Sequence, residues 1–206
     1  MRLQNPFAVL APSGIDSQVL TVLARVEQFL SVHQIQQLLP ERGSLQGVRN
    51  SVERLLEQGT VRERVAGRSR AYGINREHLL ADAIASISRA KQEFLARLRD
   101  AVVAWPLRPL SVVMFGSAAR NEMRSDSDID LLFVFPDDAP DDLAHELVQQ
   151  LVARAAAWTG NDVRPLVYSD REIEPASIFE SILRDGVEIA GEPSWLRRRL
   201  REGVRA

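Results

Sequence analysis

Apolar positions follow two rhythms along this chain. Over 15–30 they fall at Val19, Leu20, Leu23, Val26 and Leu30, the spacing of one buried helix face, with Asp16 or Ser17 able to cap its start. A short second helix fits 32–39, stopped by Pro40 and Gly43. A third runs from a Ser44 cap to Gln58, with Val48, Val52, Leu55 and Leu56 inward and Gly59 at its end. The rhythm then changes: 60–65 and 70–74 read as strands, joined through 66–69 as a hairpin. Over 78–104 the helical stripe returns at Leu80, Ile84, Ile87, Phe94, Leu98 and Val102. This predicts one long helix, which Trp105-Pro106 and Pro109 end.

Beyond that helix, short apolar runs alternate with helical patterns. The runs 110–115, 129–135, 163–168 and 187–190 read as strands. Between them, 141–158 reads as a helix with Leu143, Leu147, Val148 and Leu151 inward and Gly160 at its end. Pro175 and Gly186 bracket another over 176–185. Such alternation predicts a mixed sheet covered by helices. The closing SWLRRRLREGVRA is basic and amphipathic and reads as a solvated helix. The chain is therefore expected to be an α/β (α+β) protein of two domains, 1–78 and 105–206, linked by a connecting helix over 79–104. The stripe on that helix can cover the sheet or pair with a second copy as a homodimer, and the sequence leaves both open.

One stretch, VVMFGSAARNEMRSDSDIDLLFVF, is built for chemistry rather than packing. Gly116-Ser117 breaks the first strand of this half and opens a short helix. Gly116 has no side chain to keep a phosphate away, the amides there attract an anion, and the Ser117 hydroxyl can donate to it. Arg120, about one turn on, can face the same anion. At the entrance of the next strand Asp128 and Asp130 point to one side, because side chains alternate along a strand. Two carboxylates held that close repel, and a hard cation, magnesium before others, relieves the repulsion. Ser125 and Asp126 read as the turn before the strand.

Composition adds limits. A charged content of 26% and an apolar content of 45% are those of an ordinary globular protein. There is no cysteine, so disulfides and thiolate zinc sites are excluded. No apolar run approaches the ~20 residues a membrane crossing needs, and the proline-broken lead MRLQNPFAVLAPSG makes a poor signal peptide, so no membrane and a cytoplasmic location are expected. The net charge of −2 hides a split. Residues 1–78 carry ten arginines against seven acids, 79–191 eleven bases against nineteen acids, and the tail from Glu192 five arginines against two acids. The three histidines, His33, His78 and His145, have no ligand spacing.

Gly116-Ser117, a ten-residue gap and Asp128-Ile129-Asp130-Leu131 between apolar strands resemble the DNA polymerase beta-type nucleotidyltransferase superfamily, most closely its small prokaryotic branch. The resemblance implies that Asp128 and Asp130 bind divalent metal, two magnesium ions in all, and that Ser117 holds the phosphates of a nucleoside triphosphate, ATP on family grounds. It also implies a third carboxylate from a later strand. Asp162, which opens the 163–168 strand, is the residue at that place and would complete the metal site and take the acceptor's proton. Arg164, two residues along, would pair with that acid or contact phosphate. The chain departs from the family pattern at Asn121, where small members carry glycine.

The N-terminal order of three helices and a hairpin, over SVHQIQQLLPERGSLQGVRNSVERLLEQGTVRERVAGRSRAYGIN, resembles the winged helix-turn-helix domains of bacterial transcription regulators. That would set Gln46, Arg49 and Asn50 near DNA bases and Arg62, Arg64, Arg68 and Arg70 near phosphates. Glu53, Glu57 and Glu63 would repel the same phosphates, and a net charge of +3 over 1–78 is low for a dedicated nucleic-acid binder. Winged helices also serve as protein-docking modules.

Together these readings give an expected activity: magnesium-dependent transfer of a nucleoside monophosphate, AMP from ATP, to a hydroxyl of a partner protein or RNA, under a regulatory or antitoxin-like role. The resembled family's small members include antitoxins that adenylylate a partner toxin. The alternative is a transcription regulator whose C-terminal domain only senses nucleotide.

Overall fold

The structure, a computed structural model, describes residues 1–11 and 14–203. Pro12 and Ser13 of the lead and the last three residues of the basic tail lie outside the described residues. It divides into two compact units, 1–91 and 92–206.

The first unit contains α1 (Asp16–Arg25), α2 (Val32–Gln37), α3 (Leu45–Glu57), β1 (Val61–Ala66), β2 (Ser69–Ile74) and α4 (Ala81–Ser88). Helix α1 ends five residues before the periodicity suggests. Val26 turns extended (φ −113°, ψ 146°), and Leu30 instead forms an antiparallel bridge with Tyr72 of β2, with N–H to O distances of 2.9 and 2.8 Å in the two directions. The bridge buries Leu30 and satisfies its backbone, which a helix end at that place would leave open. Ser31 and Gln34 cap α2 reciprocally, and the Ser44 hydroxyl accepts from the Gly47 N–H at 3.0 Å to start α3. Strands β1 and β2 pair antiparallel from Val61↔Ile74 to Ala66↔Ser69, leaving Gly67-Arg68 as the turn. Gly67 takes φ +60°, as such a tight hairpin requires. Val19, Leu23, Leu30, Ile35, Val48, Val52, Val61 and Tyr72 make the core. The lead packs too, with Leu3, Phe7 and Ala8 buried and its Pro6–Val9 turn against α1 and α4.

The long helix predicted over 78–104 is two helices. Helix α4 stops at Ser88, whose hydroxyl donates to the Ala85 carbonyl at 2.8 Å. Arg89 (φ −90°, ψ 6°) sends its N–H back three residues to Ser86, and α5 (Ala90–Val103) begins immediately afterwards. Serine hydroxyls that bond local carbonyls compete with the helical ladder, and a three-residue turn results.

In the second unit α5 buries Phe94, Leu98, Ala101 and Val102, and its Arg99 donates to the Ile189 carbonyl at 3.0 Å. The chain continues through β3 (Ser111–Phe115), α6 (Gly116–Arg120), β4 (Ile129–Phe135), α7 (Asp141–Thr159), β5 (Val163–Ser169), α8 (Ser177–Asp185), β6 (Val187–Gly191) and α9 (Trp195–Gly203). The sheet order is β5-β4-β3-β6, with β4 parallel to β5 and β3 antiparallel to both its neighbours. This is the expected mixed sheet. Helix α7 connects the two parallel strands, a connection too long for a hairpin.

Alternation sorts the sheet's side chains into two faces. Val113, Leu132 and Val134 join Phe179 and Ile182 of α8 and Trp195, Leu196 and Leu200 of α9 in one core. On the other face Trp105 stacks on Phe133 and Phe135, with ring centroids 6.0 and 6.3 Å apart. The basic C-terminal helix is therefore not a solvated appendage. Its apolar side is buried in the sheet's core, and Arg199, half-buried between Trp195 and Leu196 on that same side, ion-pairs with Asp170 at 2.5 Å. No helix of the described residues is long and apolar enough to cross a membrane.

Candidate active site

The site forms where β3 ends and β4 begins. Their antiparallel register sets Phe115 opposite Asp130, so Gly116, the next residue, turns off the sheet beside the Asp130 carboxylate. Gly116 has φ +70°, and a Cβ built on it would overlap Asp130 Oδ2. Both facts favour glycine there, since the left-handed region is costly for a side chain and a Cβ could enter only by moving the carboxylate. Ser117 follows in the single turn of α6, half-exposed, and among the described residues its hydroxyl has no partner. Asn121 closes that turn at φ 60°, ψ 36°, with its N–H on the Ser117 carbonyl. The departure from glycine is thus accommodated, because asparagine is one of the few residues that tolerates the left-handed region.

Asp130 shares its sheet face with Leu132 and Val134, the α8/α9 side. Burial first, and then the nearby charge of Asp128, raise its carboxyl above the usual range, while Arg164 and Arg120 pull the other way. The two aspartates are therefore close enough to repel, as the sequence spacing predicts. Arg164 lies opposite Asp130 in the β4/β5 register and forms an ion pair with Asp128, Nη2 to Oδ2 at 2.8 Å. The sequence points it to Asp162 or to a phosphate, and the structure gives its ion pair to Asp128. Parallel register aligns Arg164 with Asp130 and so sends its long side chain along the face that carries Asp130, within reach of Asp128 just before β4.

Asp162 reaches the same strand entrance through its backbone. Its carbonyl accepts the Ile129 N–H at 2.9 Å, while Asn161 beside it donates to the Ser127 carbonyl at 2.9 Å. The Asp162 side chain is exposed. Among the described residues no group of three or more His, Cys, Asp or Glu side chains is placed to hold a metal ion, so the expected trio is present as a pair with a neighbour. Arg120 is turned to Glu122, Nε to Oε2 at 2.8 Å, and this bond, with the charges of Glu122, Asp185 and Asp130, strengthens its hold on its proton. Asp185, at the end of α8, was not evident in the sequence as a neighbour of this site. Only the packing of α6 against α8 brings it near.

Residues 95–187 match the nucleotidyltransferase domain family. The match takes in a little under half of the chain and spans Gly116, Ser117, Asp128, Asp130 and Asp162. No curated protein matches the sequence. Among solved structures, a toxin-antitoxin with AMP-PNP is 19% identical, over 55% of this chain and 84% of its own, with a TM-score of 0.38. The toxin-antitoxin MntA-HepT is 16% identical over 55% and 84%, with a TM-score of 0.37. A protein from Shewanella oneidensis is 17% identical over 55% and 83%, with a TM-score of 0.35. Likeness at that level says nothing of this chain's ligand or partner.

The remaining predicted residues lie in the first unit. Gln46 donates to Asn50 at 2.7 Å on the exposed side of α3, next to exposed Arg49. On the hairpin Arg62 pairs with Glu77 at 2.5 Å and Arg70 with Glu63 at 3.1 Å. Arg64 lies over the Phe29 ring, 4.4 Å from its centroid, and Arg68 is exposed in the turn.

Because Gly116 touches Asp130, Gly116→Ala is expected to damage the site more than the fold. Nucleotide affinity, titrated with a fluorescent ATP analogue, should fall at least about tenfold, while the left-handed strain costs stability only about 1–2 kcal/mol in urea unfolding. Unchanged affinity would show that nucleotide does not approach this turn.

Proposed function

We propose that the second unit transfers a nucleoside monophosphate from a nucleoside triphosphate, ATP before others, to a hydroxyl acceptor on a partner protein or RNA. One observation carries this reading: Gly116 is set by strand register against the Asp130 carboxylate, within a stretch that matches a nucleotidyltransferase domain. A glycine whose Cβ would meet a carboxylate, a serine hydroxyl with no partner among the described residues and two mutually repelling carboxylates are what a phosphate chain with a divalent cation needs on its two sides.

The donor set suits such a cation. Asp128 and Asp130 face one paired guanidinium, and Asp162, whose backbone meets the same strand entrance, is exposed and would have to turn towards them to complete the set. When bound there, magnesium would supply charge neutralisation for the phosphates and activation of the acceptor oxygen. The protein's own residues would do the rest. Gly116 lets the triphosphate approach the chain, and the Ser117 hydroxyl donates to a phosphate oxygen. Arg120, released from Glu122, adds a second contact. The acceptor oxygen attacks the α-phosphorus, the bond from that phosphorus to the bridging oxygen breaks, and pyrophosphate leaves. Asp162 takes the acceptor's proton.

The first unit is read as a winged helix. Three helices, the Leu30–Tyr72 bridge and a tight hairpin support that reading, under which α3 would present Gln46, Arg49 and Asn50 and the hairpin Arg62, Arg64, Arg68 and Arg70. Duplex DNA is its partner under this reading. Binding should weaken steeply with salt, and Arg49→Ala and Arg68→Ala should each cost about 1–3 kcal/mol of affinity by fluorescence anisotropy. Duplex that fails to bind at low salt would instead make this unit a protein-docking module.

A second reading is favoured by one contact. The Arg164–Asp128 ion pair fills part of the aspartate pair's charge demand, as a domain that senses nucleotide without turning it over would allow. Incubating the protein with magnesium and ATP labelled at the α-phosphate, alone and with a lysate of its own cells, separates the two. Label on a protein or RNA, absent with Asp128→Asn, supports transfer. No label, with Asp128→Asn changing nucleotide affinity alone, leaves the sensor.

A further inference from the structure

Arg120, Arg164 and Arg184 differ in what they hold. Arg120 is engaged by Glu122 at 2.8 Å, and Arg184 by its neighbour Asp185 at 3.1 Å. Arg164 alone of these three ion-pairs with one of the two aspartates, Asp128 at 2.8 Å. Its position is fixed by the sheet. The parallel register places Arg164 opposite Asp130, so the backbone carries a guanidinium to the face of Asp130, within reach of Asp128. Its freedom is equally plain, because the Arg164 side chain is 70% exposed while that of Asp128 is 23% exposed. An anchored base with a solvated head is a charge that can leave its partner at little cost.

We propose that Arg164 is a tethered counter-ion, seated on Asp128 in the free protein and displaced when a divalent cation enters with a nucleoside triphosphate, whose phosphates then receive the released guanidinium. This inference rests on the nucleotidyltransferase reading of the same site and adds a rule of loading to it. Metal alone must compete with the guanidinium for Asp128, so it binds weakly. Metal together with a triphosphate offers the guanidinium an anionic partner in exchange, so the pair binds more tightly than metal alone predicts. The device guards the two carboxylates against idle cations, and it keeps their repulsion low while the site is empty.

The test is metal binding by the full chain, read without any activity. Free Mn²⁺ is measured by electron paramagnetic resonance for the native protein, Arg164→Ala, Arg164→Lys and Asp128→Asn, with and without ATP. Arg164→Ala is expected to bind Mn²⁺ alone about 3- to 10-fold more tightly than the native protein, and to lose by about the same factor the enhancement that ATP gives. Arg164→Lys, which keeps the charge, should stay close to native on both measures. Equal Mn²⁺ affinity in native protein and Arg164→Ala, with Asp128→Asn abolishing it in the native background, would overturn the counter-ion while leaving the metal site standing. Absence of any Mn²⁺ binding that Asp128→Asn removes would overturn the metal reading and this inference with it. Since the Arg164 side chain is exposed, the alanine variant is expected to fold, and a native-like circular dichroism melt checks that it has.

Discussion

Replacing Asp130 with asparagine is expected to remove label transfer by about a thousandfold or more and, in the same protein, to raise the melting temperature at neutral pH. Both effects come from one feature. Burial and the charge of Asp128 push the Asp130 carboxyl above its usual range, so the folded protein holds that proton more tightly than the unfolded chain does. The linkage then has a definite sign. At pH above the raised folded value, Asp130 is charged in both states and its charge penalises the fold. As pH falls through the folded value and then the ordinary carboxylate value, the group is protonated in both states and the penalty disappears. Asparagine carries no charge at any pH. Its advantage should therefore be full at neutral pH and should fade on acidification. Melts run with a chelator across pH 4–8 would read it. A variant that loses transfer but melts lower at pH 7 would mean that Asp130 is held by contacts worth more than its repulsion, and the strained carboxylate pair would have to be abandoned.

Much of this site could be read in the chain because its determinants are local. Glycine after an apolar run, and acids two apart at a strand entrance, follow from alternation and from glycine's freedom, and both are found where the spacing puts them. Asn121 is a local matter as well, since its left-handed turn lets asparagine stand in for glycine. What escaped the sequence is set by pairing between distant segments. Arg164 meets Asp128 because β5 lies parallel to β4 in one register, and a shift of one residue would have sent it to the other face. Asp185 comes near Arg120 only through the packing of α8 on α6. Leu30 keeps helical spacing from Val26 and Leu23 yet is claimed by a bridge to Tyr72, and an apolar stripe carries no record of the Ser86–Ser88 turn that divides α4 from α5. In the last helix the arginines dominate the composition, while Trp195, Leu196 and Leu200 decide the burial.

The faces of the sheet also allow stability and site to be moved separately, and Phe133→Ala is expected to do so. Phe133 is fully buried and stacked on Trp105, with centroids 6.0 Å apart and planes 29° from parallel. Truncation would leave a ring-sized cavity beneath that tryptophan and should cost about 3–5 kcal/mol, a large part of a domain's typical stability of about 5–15 kcal/mol. In urea the transition of the second unit should move to lower concentration with its slope unchanged, and that of the first unit is expected to stay in place, since Phe133 lies in the unit 92–206. Phe133 is an odd number of residues from Asp130 along β4, so it points to the opposite face from the carboxylates. Nucleotide affinity measured well below the melting point should consequently remain within about twofold of native, in contrast to Gly116→Ala, where affinity falls and stability largely holds. If Phe133→Ala lost affinity in proportion to stability at a temperature where the unit is still folded, the two faces would be coupled through β4. The site would then depend on the packing beneath it as much as on the turn that frames it.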